Sequence, residues 1–563
     1  MYSQITFSIR VTLRNGTQNR MKKTFSRSVH ILFLFVALVH AAYAGRHERL
    51  IDTWRPLHFD VSLVFNDPLS ELKTAKTDIA LEVLKKDVLL IDLDFGKMPV
   101  SAVTVDGAAA KYTQHDEKLD VYLSAPANAG QKINISVSYS GQPPDGLILV
   151  NDADGNPSAI GDNWPDRVHN WIPCFDHPSA KASVKFTVTA PSKDVVVANG
   201  VLDSKKENMD ATTTWVWNEK HLISPYNMVV AAGQFASATL KTSTTIPISY
   251  YVTHSDRQFA EQGFSPAGPA VSLFGNTIEP YPYQKLALIV GATRFGGMEN
   301  ANTIVFTPTL FQNFSTAKPR SARYNVPNSV EGVVAHEIAH QWFGDSVTEA
   351  TWADLWLSEG FATYFAGLFL EKNVGEERFR AYMRDDAKTY FAYEKTRSIP
   401  LHDTETEKLF DLLNPNNYQK GAWVLHGLRG LLGDKAFFDG LRLYYKEHKS
   451  GVATSDDLKG ALERASGRDM KDFFDRWVYK SGHPIYKVSW SQVGASAIKV
   501  ELQQTQADEA FLEPVTLEIQ TAKGKQRVRM VPTGKDSFLK VKSPKPRKII
   551  VDPDEFILKE IAQ

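Results

Sequence analysis

The segment His336-Glu-Ile-Ala-His340 places two histidines four residues apart, and the carboxylate of Glu359 follows on what should be the next helix. Residues four apart on a helix differ by only about 40° around its axis, so both imidazoles can share one metal ion. Glu337 lies near the same face and can touch a water on the metal without being a ligand. Two histidines and one glutamate are an established zinc ligand set for peptide hydrolysis. The spacing predicts a catalytic site with one zinc ion per chain.

A helix must carry these histidines, and the apolar pattern predicts one over residues 330–343. Ser329 or Asn328 can cap its start and Gly344 can end it, which places both histidines in its final turns. Further helical periodicity follows at 357–370, 376–387, 422–432 and 456–465. We therefore predict a mainly helical catalytic domain over residues 254–483.

The flanking regions favour strands. Alternating apolar residues, separated by Gly, Asn, Asp and Pro, predict an N-terminal antiparallel β domain over residues 45–253, with strands at 58–65, 89–94, 133–139 and 184–189. Alternation returns near the C-terminus and predicts a small β-sandwich over residues 484–563, with strands at 486–490, 498–502 and 528–532. The predicted fold class is multidomain α+β.

The composition is that of an ordinary globular protein. Of 563 residues, 43% are hydrophobic, and 64 basic residues balance 64 acidic ones. No net charge attracts nucleic acid or an anionic membrane surface, so neither is an expected partner. Cys174 is the only cysteine in the sequence, which excludes an intrachain disulfide and favours a small buried hydrophobic residue there.

The N-terminal region resembles an export signal. A basic stretch that includes Lys22 precedes an apolar segment at 31–39, which is followed by an Ala-Tyr-Ala sequence. This pattern predicts a cleaved signal peptide over residues 1–44, with Met21 as an alternative natural start. The apolar segment is too short to span a bilayer comfortably. We expect a periplasmic or secreted protein without a stable membrane anchor after cleavage; an uncleaved anchor is the alternative.

Two other segments carry polar groups whose role the residues alone leave open. Gly296-Gly297-Met298-Glu299-Asn300 is a glycine turn leading into an acid, which suits either a hairpin loop or a binding site. Tyr418 stands before a predicted helix, where a lone tyrosine is ordinarily a half-buried packing residue.

Taken together, these segments resemble the aminopeptidase N family of zinc metallopeptidases, the gluzincins that include leukotriene hydrolase. The order and spacing of four segments carry the resemblance, namely 296–300, 336–344, 355–362 and 418–422. The resemblance extends from about residue 50 to the end, because the sequences around Cys174 and Lys181 also resemble the family's N-terminal β domain. It implies a thermolysin-like catalytic domain.

The resemblance also implies roles for individual residues. The three predicted ligands would bind zinc, and Glu337 would be the general base. Glu299 would hold the α-ammonium group of the substrate, and Tyr418 would donate a hydrogen bond to the developing oxyanion. The expected activity is removal of N-terminal residues from peptides that have a free N-terminus.

This sequence departs from the family pattern in two ways. Many members carry a glutamine, and often a second acid or glutamine, where this chain has Asp162 and Trp164. Asp162 then helps Glu299 to hold the amine, or Trp164 stacks on the substrate, or Asp162 lies in a surface loop. The sequence also lacks the long helical C-terminal domain of larger members, so neither a large chamber nor the lipid activity of leukotriene hydrolase is expected.

Two rival functions remain open. A zinc endopeptidase would use the same ligand set, but it has no use for an ammonium anchor such as Glu299. A non-catalytic peptide-binding scaffold with a structural metal would not need a base such as Glu337. The sequence gives no indication of the oligomeric state.

Overall fold

The structure is a computed structural model that describes residue 46 and residues 48–311, 329–494 and 496–562. The predicted signal peptide therefore lies outside the described residues. In the described part of the chain, no helix combines the length and the apolar character needed to cross a membrane. Arg46 and residues 405–407 belong to a small unit, within which Arg46 Nη1 donates to the Thr406 carbonyl at 3.0 Å. The described residues of 48–404 and 408–562 form the main unit.

The N-terminal part of the main unit is built from strands in three sheets. The strands are β1 Trp54–Phe65, β2 Leu72–Val83, β3 Val88–Asp94, β4 Val100–Val105, β5 Ala108–Ala109, β6 Lys111–His115, β7 Lys118–Ala127, β8 Lys132–Gly141, β9 Leu147–Asn151, β10 Pro157–Gly161, β11 Ala182–Pro191, β12 Val195–Ala198, β13 Val201–Glu207, β14 Thr212–Ile223 and β15 Val230–Gly233. The sheet orders are β13-β14-β11-β1-β2-β8-β4-β5, β12-β15-β10-β9 and β3-β7-β6.

The four predicted strand segments of this region lie within β1, β3, β8 and β11. Buried and less buried residues alternate along these strands, which is why the apolar pattern of the sequence predicted them. The antiparallel prediction needs one correction: β1 and β11 pair in parallel, while the other pairings in these three sheets are antiparallel. Strands so far apart in the sequence are free to pair in parallel. Cys174 is buried, as predicted.

The second part combines helices with a five-stranded sheet. Its helices are α1 Arg257–Gly263, α2 Ala267–Thr277, α3 Val330–His340, α4 Trp356–Asn373, α5 Glu376–Glu394, α6 Gly421–Leu432, α7 Asp434–His448, α8 Ser455–Ser466 and α9 Lys471–Trp477. Its strands are β16 Ala236–Thr239, β17 Ile248–Val252, β18 Leu286–Val290, β19 Gly297–Met298, β20 Thr303–Phe306, β21 Val347–Glu349 and β22 Gly451–Ala453. The sheet order is β16-β17-β18-β20-β19, and β21 pairs with β22.

The central strand β18 is buried on both faces. Ala287 and Ile289 join the core of the β domain, while Leu288 and Val290 join the core beneath the helices. This two-sided burial accounts for its unbroken apolar sequence. Strands β16 and β17 belong to the same five-stranded sheet as β18, β20 and β19. A domain boundary after residue 253 would therefore separate β16 and β17 from the other three strands of their sheet.

The five helices predicted from periodicity are present. Ser329 caps α3, since its side chain accepts a hydrogen bond from the Gly332 amide at 3.1 Å. The helix ends at His340 rather than near residue 343, and Gly344 adopts φ +121° in the turn that follows. Both histidines therefore lie in the last turns of the helix, as predicted.

The C-terminal part contains two sheets around a small core of its own. The strands are β23 Ile485–Val493, β24 Ala497–Gln504, β25 Val515–Thr521, β26 Gly524–Met530, β27 Asp536–Lys542, β28 Pro546–Val551 and β29 Glu560–Ile561. The sheet orders are β27-β24-β23-β29 and β26-β25-β28.

Candidate metal centre

Two helices bring the three predicted ligands together in the core. The Nε2 atoms of His336 and His340 are 3.1 Å apart, and Glu359 Oε2 lies 3.3 Å from the first and 3.4 Å from the second. The two histidines come from α3 and the glutamate from the start of α4, and all three side chains are buried. These residues could hold a metal ion.

The donor atoms fit a tetrahedral metal site. Bonds of about 2.0 to 2.2 Å to zinc place ligand atoms roughly 3.3 to 3.6 Å apart, which is close to the observed triangle. Glu359 Oε2 is buried and accepts no hydrogen bond from the protein. A buried carboxylate oxygen without a donor is costly unless a cation neutralises it. The residues present therefore fit the metal that the sequence predicts.

The second nitrogen of His340 fixes the orientation of its ring. Nδ1 lies 3.1 Å from the Phe343 carbonyl and 3.1 Å from Ser358 Oγ. Donation from Nδ1–H to the carbonyl leaves the lone pair on Nε2, the atom that faces His336. Burial opposes protonation of His340, but the carboxylates of Glu299 and Glu359 outweigh it and raise its pKa to about 10. The carboxylates around His340 thus favour a positive charge in the cluster, as a metal site requires.

Glu337 lies beside this triangle and against the glycine turn. A Cβ atom added to Gly297 would come within 2.3 Å of the Glu337 carboxyl carbon, so the carboxylate packs directly on the Gly297 backbone. Burial raises the pKa of Glu337 well above its usual value, and the nearby carboxylates of Glu299 and Glu359 add to the shift. Glu337, Glu299 and His340 also bring ligand atoms within 4.8 Å of one another. The base and the predicted ammonium anchor therefore share one cavity.

The segment that carries Glu299 is tied to the histidine helix by Gln341. The Gln341 side chain donates to the Glu299 carbonyl at 2.8 Å and accepts from the Asn302 amide at 2.7 Å. It also donates to Asp345 at 2.7 Å. Sequence reasoning missed this residue, although its place directly after His340 and among apolar neighbours was a usable signal, because a polar residue there must find buried partners.

Glu299 itself is 6% exposed, and burial raises its pKa to about 7. Among the residues that the structure describes, no lysine or arginine forms an ion pair with it. Met298 is buried and, with both glycines of the turn, lines the cavity. Asn300 is buried behind the lining, where its side chain donates to the Met298 carbonyl at 3.4 Å.

Tyr418 also lines the cavity. It lies in a π-helical turn at Asn416–Lys420, directly before α6. Its ring is parallel to that of His336, with centroids 6.0 Å apart. Loss of solvation raises the pKa of Tyr418 well above 10, and the Glu359 carboxylate adds to the effect. The phenol therefore keeps its proton and can donate it in a hydrogen bond.

Two glycines allow the Tyr418 turn to approach the ligand helix. A Cβ atom on Gly360 would lie 2.8 Å from the Gly421 Cα, and the reverse distance would be 2.9 Å. Such contact between backbones is open only to glycine. It brings the turn next to Glu359, the residue before Gly360.

Asp162 does not reach the cavity. Its side chain is fully buried, which excludes the surface-loop alternative, and its oxygens accept from Arg167 Nη2 and Thr293 Oγ1, both at 2.9 Å. Thr293 lies in the loop between β18 and the glycine turn, so Asp162 anchors that loop. It is not among the residues that line the cavity.

Trp164, in contrast, forms a wall of the cavity. Its ring contacts those of Phe295, Trp352 and Phe410, with centroids 5.7 to 5.9 Å apart. The remaining space beside the cluster is about 30 Å³, room for roughly two waters. The aromatic wall thus closes the cavity on this side.

A two-histidine, one-glutamate cluster with a second glutamate beside it, on helices behind a β domain, defines a protein of the metallopeptidase class. The profile of the Peptidase family M1 domain matches residues 270–477, and that of the Peptidase M1 N-terminal domain matches residues 55–227. The chain belongs to peptidase family M1, which confirms the predicted resemblance.

Curated relatives agree with this assignment. "Probable aminopeptidase 1" of Sulfurisphaera tokodaii is 27% identical over 428 residues, which are 72% of this chain and 51% of that protein. "Aminopeptidase N" of Lactobacillus delbrueckii subsp. lactis is 28% identical over 455 residues, or 78% of this chain and 52% of that protein. The chain spans about half the length of these relatives.

A solved structure shares the fold. The crystal structure of an M1 zinc metallopeptidase from Deinococcus radiodurans aligns with a TM-score of 0.64 and 23% identity. The alignment covers 77% of this chain and 95% of that one. The N-terminal β domain and the helical domain of the chain are therefore arranged in a known M1 architecture.

Proposed function

We propose that the protein is an exported, zinc-dependent aminopeptidase that removes N-terminal residues from peptides. The observation that carries the proposal is the buried Glu299 carboxylate, which shares the cavity of Glu337 and His340 and has no basic side chain of the described chain as an ion-pair partner. A free α-ammonium group would supply the missing cation. The relatives named as aminopeptidases support the same reaction.

One zinc ion per chain would be held by His336, His340 and Glu359. When bound, it supplies Lewis acidity, which acidifies a water and polarises the carbonyl of the scissile peptide bond. The buried ligand triangle and the donorless oxygen of Glu359 support this occupant.

The remaining steps belong to side chains of this protein. Glu299 holds the ammonium group and so places the first peptide bond over the cluster. Glu337 takes a proton from the attacking water and passes it to the leaving amine, a role that suits a carboxylate whose pKa is raised by burial. Tyr418 donates to the oxyanion that develops on the carbonyl.

The shape of the cavity favours an aminopeptidase over a zinc endopeptidase. Trp164 and Phe295 close the cavity on one side, and Glu299 stands beside them. A substrate that continued in both directions would have to displace this wall. A structural metal site needs no general base. The position of Glu337 beside the three ligands, where it packs against Gly297, therefore disfavours a non-catalytic scaffold.

We also infer that residues 1–44 direct export to a periplasm or to the outside of the cell, and that the two C-terminal sheets form the small β-sandwich that the sequence predicts. The lysines and the apolar segment at 31–39 support the first inference. The shared core of the two sheets supports the second.

One experiment tests the reaction. A peptide and its N-acetylated twin are incubated with the protein, with and without a zinc chelator, and products are followed by mass spectrometry. We expect stepwise N-terminal trimming of the free peptide only, loss of trimming with chelator, and recovery when zinc is restored. Equal cleavage of both peptides would refute the aminopeptidase assignment, and cleavage at internal bonds would favour the endopeptidase.

A second prediction concerns the glycine turn. Gly297→Ala should lower kcat about 100-fold or more, because the new methyl group would displace the Glu337 carboxylate, and misplacement by about 1 Å can cost that much. Gly296→Ala is the matched comparison, since a Cβ atom there meets nothing within 4 Å. Both variants should keep their zinc by elemental analysis. Equal losses in the two variants would show that Gly297 does not position Glu337.

A further inference from the structure

A second cavity of about 210 Å³ lies between the helical part and the C-terminal sheets. None of its lining residues lines the metal cavity. Helices α6 and α9 contribute Trp423, Phe473 and Trp477, and the C-terminal part contributes Phe556. An engineered cavity of about 150 Å³ admits benzene, so this one has room for an apolar side chain.

The cavity contains one carboxylate without a basic partner. Glu513 accepts a hydrogen bond from Trp477 Nε1 at 2.8 Å, and burial raises its pKa to about 7. In the ranges that the structure describes, no lysine or arginine lies within 4.0 Å of it. Arg476 attracts the Glu513 carboxylate only from beyond this distance. Its Nη1 atom donates to the Ser481 carbonyl at 2.6 Å, and its buried Nη2 atom donates no hydrogen bond in the described structure.

The other two acids of the cavity are already neutralised. Asp552 pairs with Lys559 at 2.7 Å and also accepts from the backbone amides of Phe556 and Ile557. Asp554 pairs with Arg527 at 2.9 Å. Glu513 therefore remains the acid of this cavity that lacks a counterion.

The cavity is also lined by Arg529, a basic residue that forms no ion pair within the described ranges. Arg529 is exposed on β26 and lies opposite Thr516 of β25, three residues beyond Glu513. Within the described ranges, no carboxylate comes within 4.0 Å of its guanidinium. Glu513 and Arg529 both line this one cavity of about 210 Å³. Long side chains on the two residues can therefore reach opposite ends of one small molecule.

We propose that this cavity binds a free α-amino acid with an apolar side chain. The ammonium group pairs with Glu513, the carboxylate pairs with Arg529, and the side chain lies among the aromatic rings. An unpaired acid and an unpaired base on one apolar cavity match the charges of a zwitterion, whereas a ligand with a single charge would leave one of them unmatched. The site is distinct from the metal centre, and its occupancy does not depend on the proposed peptidase activity.

L-Leucine is the probe, and its binding is measured by calorimetry on the metal-loaded full chain. Two matched analogues each lack one charge: N-acetyl-leucine has no ammonium group and leucinamide has no carboxylate. We expect leucine to bind with about tenfold or greater advantage over either analogue, because a charged hydrogen-bonding partner is lost in each. Glycine, which has no side chain for the aromatic walls, should bind more weakly than leucine.

Variants locate the binding. Glu513→Gln, which preserves size and an acceptor for Trp477, and Arg529→Gln should each weaken leucine binding about tenfold or more. The control is Glu509→Gln, which removes a neighbouring exposed acid that pairs with Lys480 and should leave leucine affinity unchanged. Leucine binding that is unchanged in both test variants would place the amino acid elsewhere, for example in the metal cavity, and would overturn the proposal. Absence of saturable binding to the wild type would overturn it too.

Discussion

Replacing Glu337 by glutamine should lower kcat by roughly 10²- to 10⁴-fold, the range that a positioned acid–base group contributes. Glutamine has nearly the size of glutamate, so it can occupy the space against Gly297. It cannot accept a proton from water, however, nor return one to the leaving amine. Metal content should stay at the wild-type level, because the three ligands are untouched. Steady-state kinetics and elemental analysis on the same preparation check both expectations.

Glu331→Gln is the control for this variant. Glu331 is exposed in the first turn of the same helix, α3, so its replacement makes the same chemical change away from the cavity. Its kcat should match the wild type. Near-wild-type hydrolysis by pure, metal-loaded Glu337→Gln would exclude Glu337 as the base, whereas loss of metal would show that Glu337 helps to bind the ion.

The parts of the site that could be predicted from the sequence are local in the chain. His336, Glu337 and His340 share one helix, so its period alone determines which side chains point together. Glu359 could be added because an acid stood at the start of the next apolar helix. Four strands of the β domain could also be predicted from the sequence, because buried and less buried residues alternate along much of each one.

The parts that could not be predicted depend on contacts between distant segments. Asp162 was an attractive amine ligand by position, but Arg167 and Thr293 take up its carboxylate, and no pattern along the chain reveals that. The burial of Gln341 could have been predicted from its apolar neighbours, but its partners could not, because they come from the distant segment at Glu299 and Asn302. The parallel pairing of β1 with β11 likewise reflects the path of the whole chain rather than either strand.

The role of Tyr418 could be predicted from the family resemblance but not from the residues around it. Its position before a predicted helix indicated only a packing residue, and the oxyanion-donor role came from the family resemblance alone. The structure supplies the physical reason: a π-helical turn and the backbone contact between Gly360 and Gly421 bring it beside Glu359. Turns of this kind occur frequently at functional sites. Neither the turn nor the glycine contact has a signature in the apolar pattern.

Tyr418→Phe should therefore lower kcat about 10²- to 10³-fold, the loss seen when one oxyanion donor is removed. The phenol donates to an oxygen that becomes charged only as the reaction proceeds, so substrate affinity should change little. The ring of phenylalanine can keep its parallel position over His336, and the metal content should stay unchanged.

The control for Tyr418→Phe removes a different buried hydroxyl. Tyr364 lies on α4, the helix that carries Glu359, but its hydroxyl contacts His426 Nδ1 at 3.2 Å and it does not line the metal cavity. Tyr364→Phe should alter stability more than kcat, since it loses a hydrogen bond of about 1 kcal/mol and no group of the site. An unchanged rate for Tyr418→Phe would remove Tyr418 from the mechanism, because the variant alters only the donor. A rise in KM with kcat preserved would instead mean that the hydroxyl binds the ground state as strongly as the transition state.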